Sequence, residues 1–235
     1  MRSMTMMVAT FALSACTPAE PSKSNVPAAD AVKSTASAAI KPITLKAADG
    51  VTIFGSLYAA QNPKAIILLF HQAGSGKGEY ATIAPRLAAM GYSALAIDQR
   101  SGGDLFGRNE TASALGHGAS YLDAKADLQA AVDWAVPQGK PVMLWGSSYS
   151  SALVFLVAAE NAGKVAAVLS FSPGEYLGNP SLVRDAASRV TVPVFVTSAK
   201  DAGEIAAAKA IVEAAPGTHN VRFAPRKCCR GISSK

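Results

Sequence analysis

"MLWGSSYSSAL", residues 143–153, is the stretch on which the fold turns. It reads as an apolar strand, a sharp turn of small residues and a helix. The five residues Gly146-Ser147-Ser148-Tyr149-Ser150 lie close to the pattern G-x-S-x-G. A serine on such a turn is held in a strained backbone conformation, and strand and helix press close on either side. The residues two before and two after it must therefore be small. Gly146 meets that demand fully; Ser150 departs from glycine but stays small. The turn lifts the Ser148 hydroxyl above the sheet edge, and the helix points its positive end at charge developing there. The plainer alternative is a strand-to-helix turn capped by serine.

Outward from this stretch, strands and helices alternate. "PITLKAADGVTIFGSLYAA" predicts two strands joined at Asp49-Gly50, a hairpin signal. "AIILLF" (65–70) predicts a strand, followed by a helix near 79–90 that ends at Gly91. "YSALAID" (92–98) predicts the next strand. After a long loop a helix is expected from about 119 to 136, with Tyr121, Ala124, Leu128, Ala131 and Ala135 on one face and Pro137 stopping it. "PVMLW" (141–145), "VAAVLSF" (165–171), "VPVFVTS" (192–198) and "VRFA" (221–224) complete the strands, with a helix over 204–215 between the last two. The central runs are continuously apolar, as in strands covered on both faces. The expected fold is α/β, a mostly parallel sheet with helices on both faces. Ligands in such sheets bind at the carboxyl ends of the strands.

Of the 235 residues, 50% are hydrophobic, which suits one α/β domain over residues 41–225. "MRSMTMMVATFALSAC" has the layout of a secretory signal: Arg2, then an apolar run too short for a membrane span, then small residues. "LSAC", Leu13 to Cys16, resembles a bacterial lipobox. Residues 1–15 are then the signal, and Cys16 carries lipid that tethers the protein to the envelope. Thr17, in place of an aspartate, favours the outer membrane, facing the periplasm. Residues 16–40 are rich in Ala, Ser, Pro and Lys and read as a flexible linker. The formal charge of +6 resides in Arg2 and in Arg222, Arg226, Lys227, Arg230 and Lys235. A body near neutrality without a basic stripe argues against nucleic acid. Cys228 and Cys229 are adjacent, so a bridge between them would be strained, and no Cys/His spacing points to a metal.

"FHQAGSGKGEY" (70–80) raises a second possibility, a phosphate-binding loop. That loop requires G-x-x-x-x-G-K-[ST]. Gly76-Lys77 supplies the G-K, but Gly78 stands where a hydroxyl should hold magnesium and His71 where the first glycine should be. Lys77 reads as a solvated loop lysine, and a nucleotide site is rejected.

With "HQAG" (71–74) after the third strand, "DQRSGG" (98–103) after the fourth and the turn at Ser148, the chain resembles the α/β-hydrolase superfamily. The similarity is to dienelactone-hydrolase-like and small esterase members, over about residues 43–225. The resemblance implies Ser148 as nucleophile and Tyr149 as one backbone donor of an oxyanion hole. Ala73 is the second donor, with Gln72 as its alternate. It implies an acid after the seventh strand, where Asp201 stands, with Glu204 a weaker candidate. It also implies a histidine after the last strand. His71 falls in the oxyanion loop and His117 precedes the nucleophile. His219 follows the acid but enters the last strand at its amino end, so it is a weak third triad member. The tail "RKCCRGISSK" (226–235) is basic and aperiodic, where the family has a histidine loop and a closing helix. It reads as truncated or frame-shifted, leaving one sheet face short of cover. The expected activity is a serine hydrolase cleaving a small ester or related acyl substrate, without metal or organic cofactor. The alternative is a non-catalytic ligand-binding lipoprotein on the same fold.

Overall fold

A computed structural model describes residues 40–223. The first two strands, β1 (Ile40–Lys46) and β2 (Thr52–Tyr58), form the expected hairpin, with Gly50 at φ +87° in its turn. The next two, β3 (Ile66–Phe70) and β4 (Ser93–Ile97), are buried at every position, as their unbroken apolar runs require. The remaining strands are β5 (Val142–Ser147), β6 (Val165–Phe171), β7 (Val194–Ser198) and β8 (His219–Phe223). All eight join one sheet in the order β1-β2-β4-β3-β5-β6-β7-β8, antiparallel at β1-β2-β4 and parallel from β4 onward.

This order has a consequence for ligand binding. β3 and β5 are neighbours, yet the chain leaves β3 toward β4 on one side and leaves β5 toward β6 on the other. The connections diverge there and open a crevice at the carboxyl edge. The residues that exit those two strands are His71 and Ser148.

Alternation along the strands divides the core in two. Ile66, Leu68, Phe70, Leu144, Val168 and Val196 pack against α3 (Lys125–Ala135), α4 (Tyr149–Glu160), α5 (Leu182–Ala187) and α6 (Ala202–Val212). Ile67, Leu69, Ala94 and Ala96 pack on the opposite face against Tyr80 and α1 (Ala84–Ala89). On that second face Met143, Trp145, Leu169, Phe171 and Phe195 remain partly exposed. Trp145 stacks on Phe171 with centroids 4.4 Å apart, and Phe171 lies 5.8 Å from Phe195. A shallow apolar groove of about 280 Å³ runs along Met143, Leu169 and Phe195. Among the described residues, this face is the less covered of the two.

Three helical expectations change. The helix expected near 79–90 is a 3-10 turn at Lys77–Tyr80 followed by α1, because the Tyr80 hydroxyl donates to the Phe70 carbonyl and Pro85 opens a new helix. The helix expected from 119 begins regularly only at Lys125. Ser120 and Asp123 cap a preceding turn reciprocally, at 2.7 and 3.2 Å, and this turns Tyr121 off the helix face. Pro137 lies inside a short 3-10 extension, Val136–Gln138. Two helices were not expected: α5, and α2 (Glu110–Leu115), whose N–H at Ala112 bonds the Asn109 side chain at 2.8 Å.

Arg100, just past β4, ties the layers together. Its Nε and Nη2 donate to Asp127 Oδ1 of α3 at 2.9 and 2.8 Å, and its N–H donates to Oδ2 at 2.7 Å. Its other edge reaches Asp49 in the β1–β2 turn. Burial pushes the Asp127 carboxyl upward, and the Arg100 donors oppose that shift. Removing one partner of a buried pair strands the other charge. Asp127→Ala is therefore expected to lower stability by about 3–5 kcal/mol in urea denaturation. Asp49→Ala, at a half-exposed carboxylate, should cost under about 1 kcal/mol.

Candidate active site

The turn between β5 and α4 is a single residue. Ser148 sits at φ 54°, ψ −121°, a region that costs an L-residue about 1–3 kcal/mol. The cause is the close approach of strand and helix. A Cβ on Gly146 would lie 2.3 Å from the Ser150 carbonyl oxygen, so only glycine fits there. The Ser148 N–H donates to the Phe171 carbonyl at 2.9 Å, and its carbonyl accepts from the Ser151 N–H at 2.9 Å. The backbone is thus fastened on both sides. The half-buried side chain donates to no described residue, so the hydroxyl stands free at the crevice. α4 is buried from Tyr149 to Ala158; the Ser151 N–H is taken by the Ser148 carbonyl, whereas the Tyr149 N–H at the positive end of the helix makes no hydrogen bond to a described residue.

Across the crevice lies the loop leaving β3. His71 is fully buried; its Nε2 accepts from the Gln99 N–H at 2.9 Å, so the proton resides on Nδ1, which donates to the Gln72 carbonyl at 2.8 Å. Burial lowers its pKa to about 4. This imidazole is a neutral strut with both nitrogens engaged. The Gln72 N–H donates to Glu79 Oε2 at 2.9 Å, so the alternate oxyanion donor is already occupied. The Ala73 N–H makes no hydrogen bond to a described residue and is the donor left available.

Lys77 is not the solvated lysine expected. Its Nζ lies 2.6 Å from Asp98 Oδ2 and 2.7 Å from Glu110 Oε1, and its N–H donates to Asp98 Oδ1 at 2.7 Å. Asp98 is fully buried at the end of β4. Gly78 admits no side chain, since a Cβ would meet the Phe106 carbonyl at 1.9 Å. Two carboxylates consume the cation that a phosphate would need. The loop is therefore a packed wall of the crevice.

Asp201 follows β7 on the same carboxyl edge, two strands from β5. Its Oδ1 accepts from the N–H groups of Gly203 and Glu204 at 2.8 and 3.2 Å, capping α6. The structure does not bring a histidine to it. His71 is the strut described above, and His117 is exposed, with its Nδ1 at 3.0 Å from the Gly118 carbonyl. His219 pairs with Val194 in the β7–β8 register, at the first residue of both strands. This puts its backbone at the amino edge, opposite Ser148, so the placement of His219 in the triad is corrected: parallel strands carry a strand-opening residue to the wrong end. Residues missed in the sequence are Gln99, Asn109 and Tyr121. Gln99 and Asn109 are buried between the loops, and Tyr121 stacks on Tyr149 at 4.3 Å. The middle position of Asp98-Gln99-Arg100 and the cap before α2 were the only local signals for them.

Strain and burial at these two residues give measurable signatures. Ser148→Gly relieves the left-handed backbone, whereas Ser148→Ala does not. The glycine variant is expected to be the more stable by about 1 kcal/mol in thermal or urea unfolding. Folded His71 stays neutral down to about pH 4, while the unfolded chain takes up its proton near the ordinary value of 6.5. Stability should therefore fall by about 3 kcal/mol as pH drops from 6.5 to 4. His71→Gln, though less stable overall, should flatten that part of the profile.

A family model described as Hydrolase_4, serine aminopeptidase, S33, matches residues 61–216. Among solved structures, the chain is similar to dienelactone hydrolase from Anabaena variabilis, with TM-score 0.65, 23% identity, and 80% of this chain and 86% of that one covered. It is also similar to a cold-adapted esterase from an Arctic intertidal metagenomic library, with TM-score 0.66, 22% identity, and 81% and 86% covered. A thermostable carboxyl esterase from Bacillus coagulans aligns with TM-score 0.65 at 12% identity, with 80% and 90% covered. No curated protein sequence matches significantly. The crevice between β3 and β5, with the serine turn on its rim, lies inside the matched residues, and the chain belongs to the Hydrolase_4 family and carries the α/β-hydrolase fold.

Proposed function

We propose that this α/β-hydrolase works by serine acylation. Ser148 Oγ attacks the carbonyl carbon of a small ester or related acyl substrate, and the N–H groups of Ala73 and Tyr149 receive the oxyanion. Asp201 takes the place of the acid that orients a base. The observation that carries this reading is the strained Ser148, whose hydroxyl is free beside an unused backbone N–H. Each donor aimed at a developing oxyanion is worth roughly 2.7–4 kcal/mol in such sites. The family description names an aminopeptidase, and the structural neighbours include a dienelactone hydrolase and esterases. Their common chemistry is attack on an acyl carbon, which supports the substrate class.

Both ring nitrogens of His71 are engaged, and the one described contact of His117 is to its neighbour Gly118, so neither is joined to Ser148 or Asp201 by a described hydrogen bond. With binding and an oxyanion hole alone, serine proteases stripped of a triad member retain ~10³–10⁴-fold over water. The lack of a described imidazole at Ser148 favours a second reading, a non-catalytic binding protein on the same fold. The proposal extends to location: lipid on Cys16, which lies outside the described residues, would hold the domain at the bacterial envelope.

A small fluorophosphonate separates the two readings. Covalent labelling that disappears in Ser148→Ala, together with hydrolysis of short p-nitrophenyl esters, is the expected result. Absence of labelling in folded protein would favour the binding reading.

A further inference from the structure

The part of the turn that departs from its pattern has a partner. Ser150 is fully buried, and its Oγ donates to the His71 carbonyl at 2.6 Å. A hydroxyl has one proton, and here it is committed to an oxygen that can only accept. Ser150 Oγ must therefore accept from Gln99 Nε2, 2.8 Å away. Gln99 closes the ring, because its own N–H donates to His71 Nε2 at 2.9 Å. His71, Gln99 and Ser150 are all fully buried, so these bonds face no competition from water. The second Nε2 proton of Gln99 goes to the Tyr149 hydroxyl at 2.7 Å. One side-chain amide thus holds the side chain of Tyr149 and the hydroxyl that fastens the loop opposite. Its Oε1 is buried and has no partner among the described residues.

We propose that Gln99 and Ser150 are a positioning pair that sets the separation of the Ala73 and Tyr149 N–H groups. This rests on the reading of those two as oxyanion donors. The His71 carbonyl is separated from the Ala73 N–H by one residue, Gln72, whose own N–H is tied to Glu79. A twist of the loop at His71 is therefore transmitted to Ala73. Glycine at position 150 would leave the His71 carbonyl and one of the two Gln99 Nε2 protons unpaired in the interior. The hydroxymethyl group is retained there because it closes the ring. Asn109 adds a second tie, its Nδ2 donating to the Gln99 carbonyl at 3.0 Å. The pair acts through the donors and touches no substrate.

The test uses the full chain and the variants Ser150→Ala, Gln99→Met and the double. Two quantities are read: the phosphonylation of Ser148 by a small fluorophosphonate, per folded molecule, and amide hydrogen exchange over residues 71–76. Each single variant is expected to slow phosphonylation 10- to 100-fold in its maximal rate, with the half-saturating reagent concentration unchanged. The double should be no slower than the worse single, since one ring is broken once. Exchange should quicken at 71–76 while global unfolding stays slower than the labelling. Ser150→Thr, which keeps the hydroxyl, should restore the rate; if it does not fold, the double-variant comparison decides. Single-variant rates within twofold of the parent, or losses that multiply in the double, would overturn the pairing. If the parent itself fails to react at Ser148, the acylation reading falls. Exchange then decides the bracing separately: faster at 71–76 sustains it, unchanged overturns it.

Discussion

The contact between the Gly146 position and the carbonyl of Ser150 governs this structure. Strand and helix approach so closely that a methyl group on residue 146 would overlap an oxygen. The chain reverses within one residue, and Ser148 absorbs the strain in its backbone. The surroundings over-determine that conformation, through the Phe171 carbonyl behind it and the Ser151 N–H ahead of it. The helix that follows is apolar around its whole circumference and can exist only in the interior. Its burial anchors the turn, so packing far from the crevice maintains an unfavourable angle at its rim.

The two edges of the sheet are built from different forces. Toward the middle the core is aliphatic, with α3 to α6 on one face and α1 on the other. At the carboxyl edge the buried residues are polar: His71, Asp98, Gln99, Arg100, Asn109, Asp127 and Ser150. Apolar contacts permit sliding, whereas hydrogen bonds with specified donors and acceptors do not. The loops after β3, β4 and β5 are therefore locked to one another in register. Lys77 illustrates the principle, since its ammonium group draws the glycine loop onto Asp98 and onto the start of α2.

The sheet face carrying Trp145, Phe171 and Phe195 has another character. Its aromatic rings run along three adjacent strands, Trp145 stacked on Phe171 and Phe171 tilted against Phe195, and shield one another in part. Alternation makes this unavoidable. The residues between them, Leu144, Ser170 and Val196, face the well-covered side, and every second residue must face the other.

The sequence by itself determined the alternation of elements, the parallel core and the serine turn. These are local: an apolar run, a glycine two residues before a serine, a change of period. It also determined that His219 opens a strand, hence its edge, because strand direction follows chain direction. The short helices α2 and α5 escaped, since six residues hold under two turns and show no periodicity. What only the tertiary structure decided is partnership. Gln72 lost its N–H to Glu79, Lys77 gained two carboxylates, and Tyr121 left a helix face for the ring of Tyr149. Ser150 met a carbonyl 79 positions earlier in the chain. A hydrogen bond needs its two groups within about 3 Å, and separation along a chain says nothing about that until the sheet has chosen its strand order.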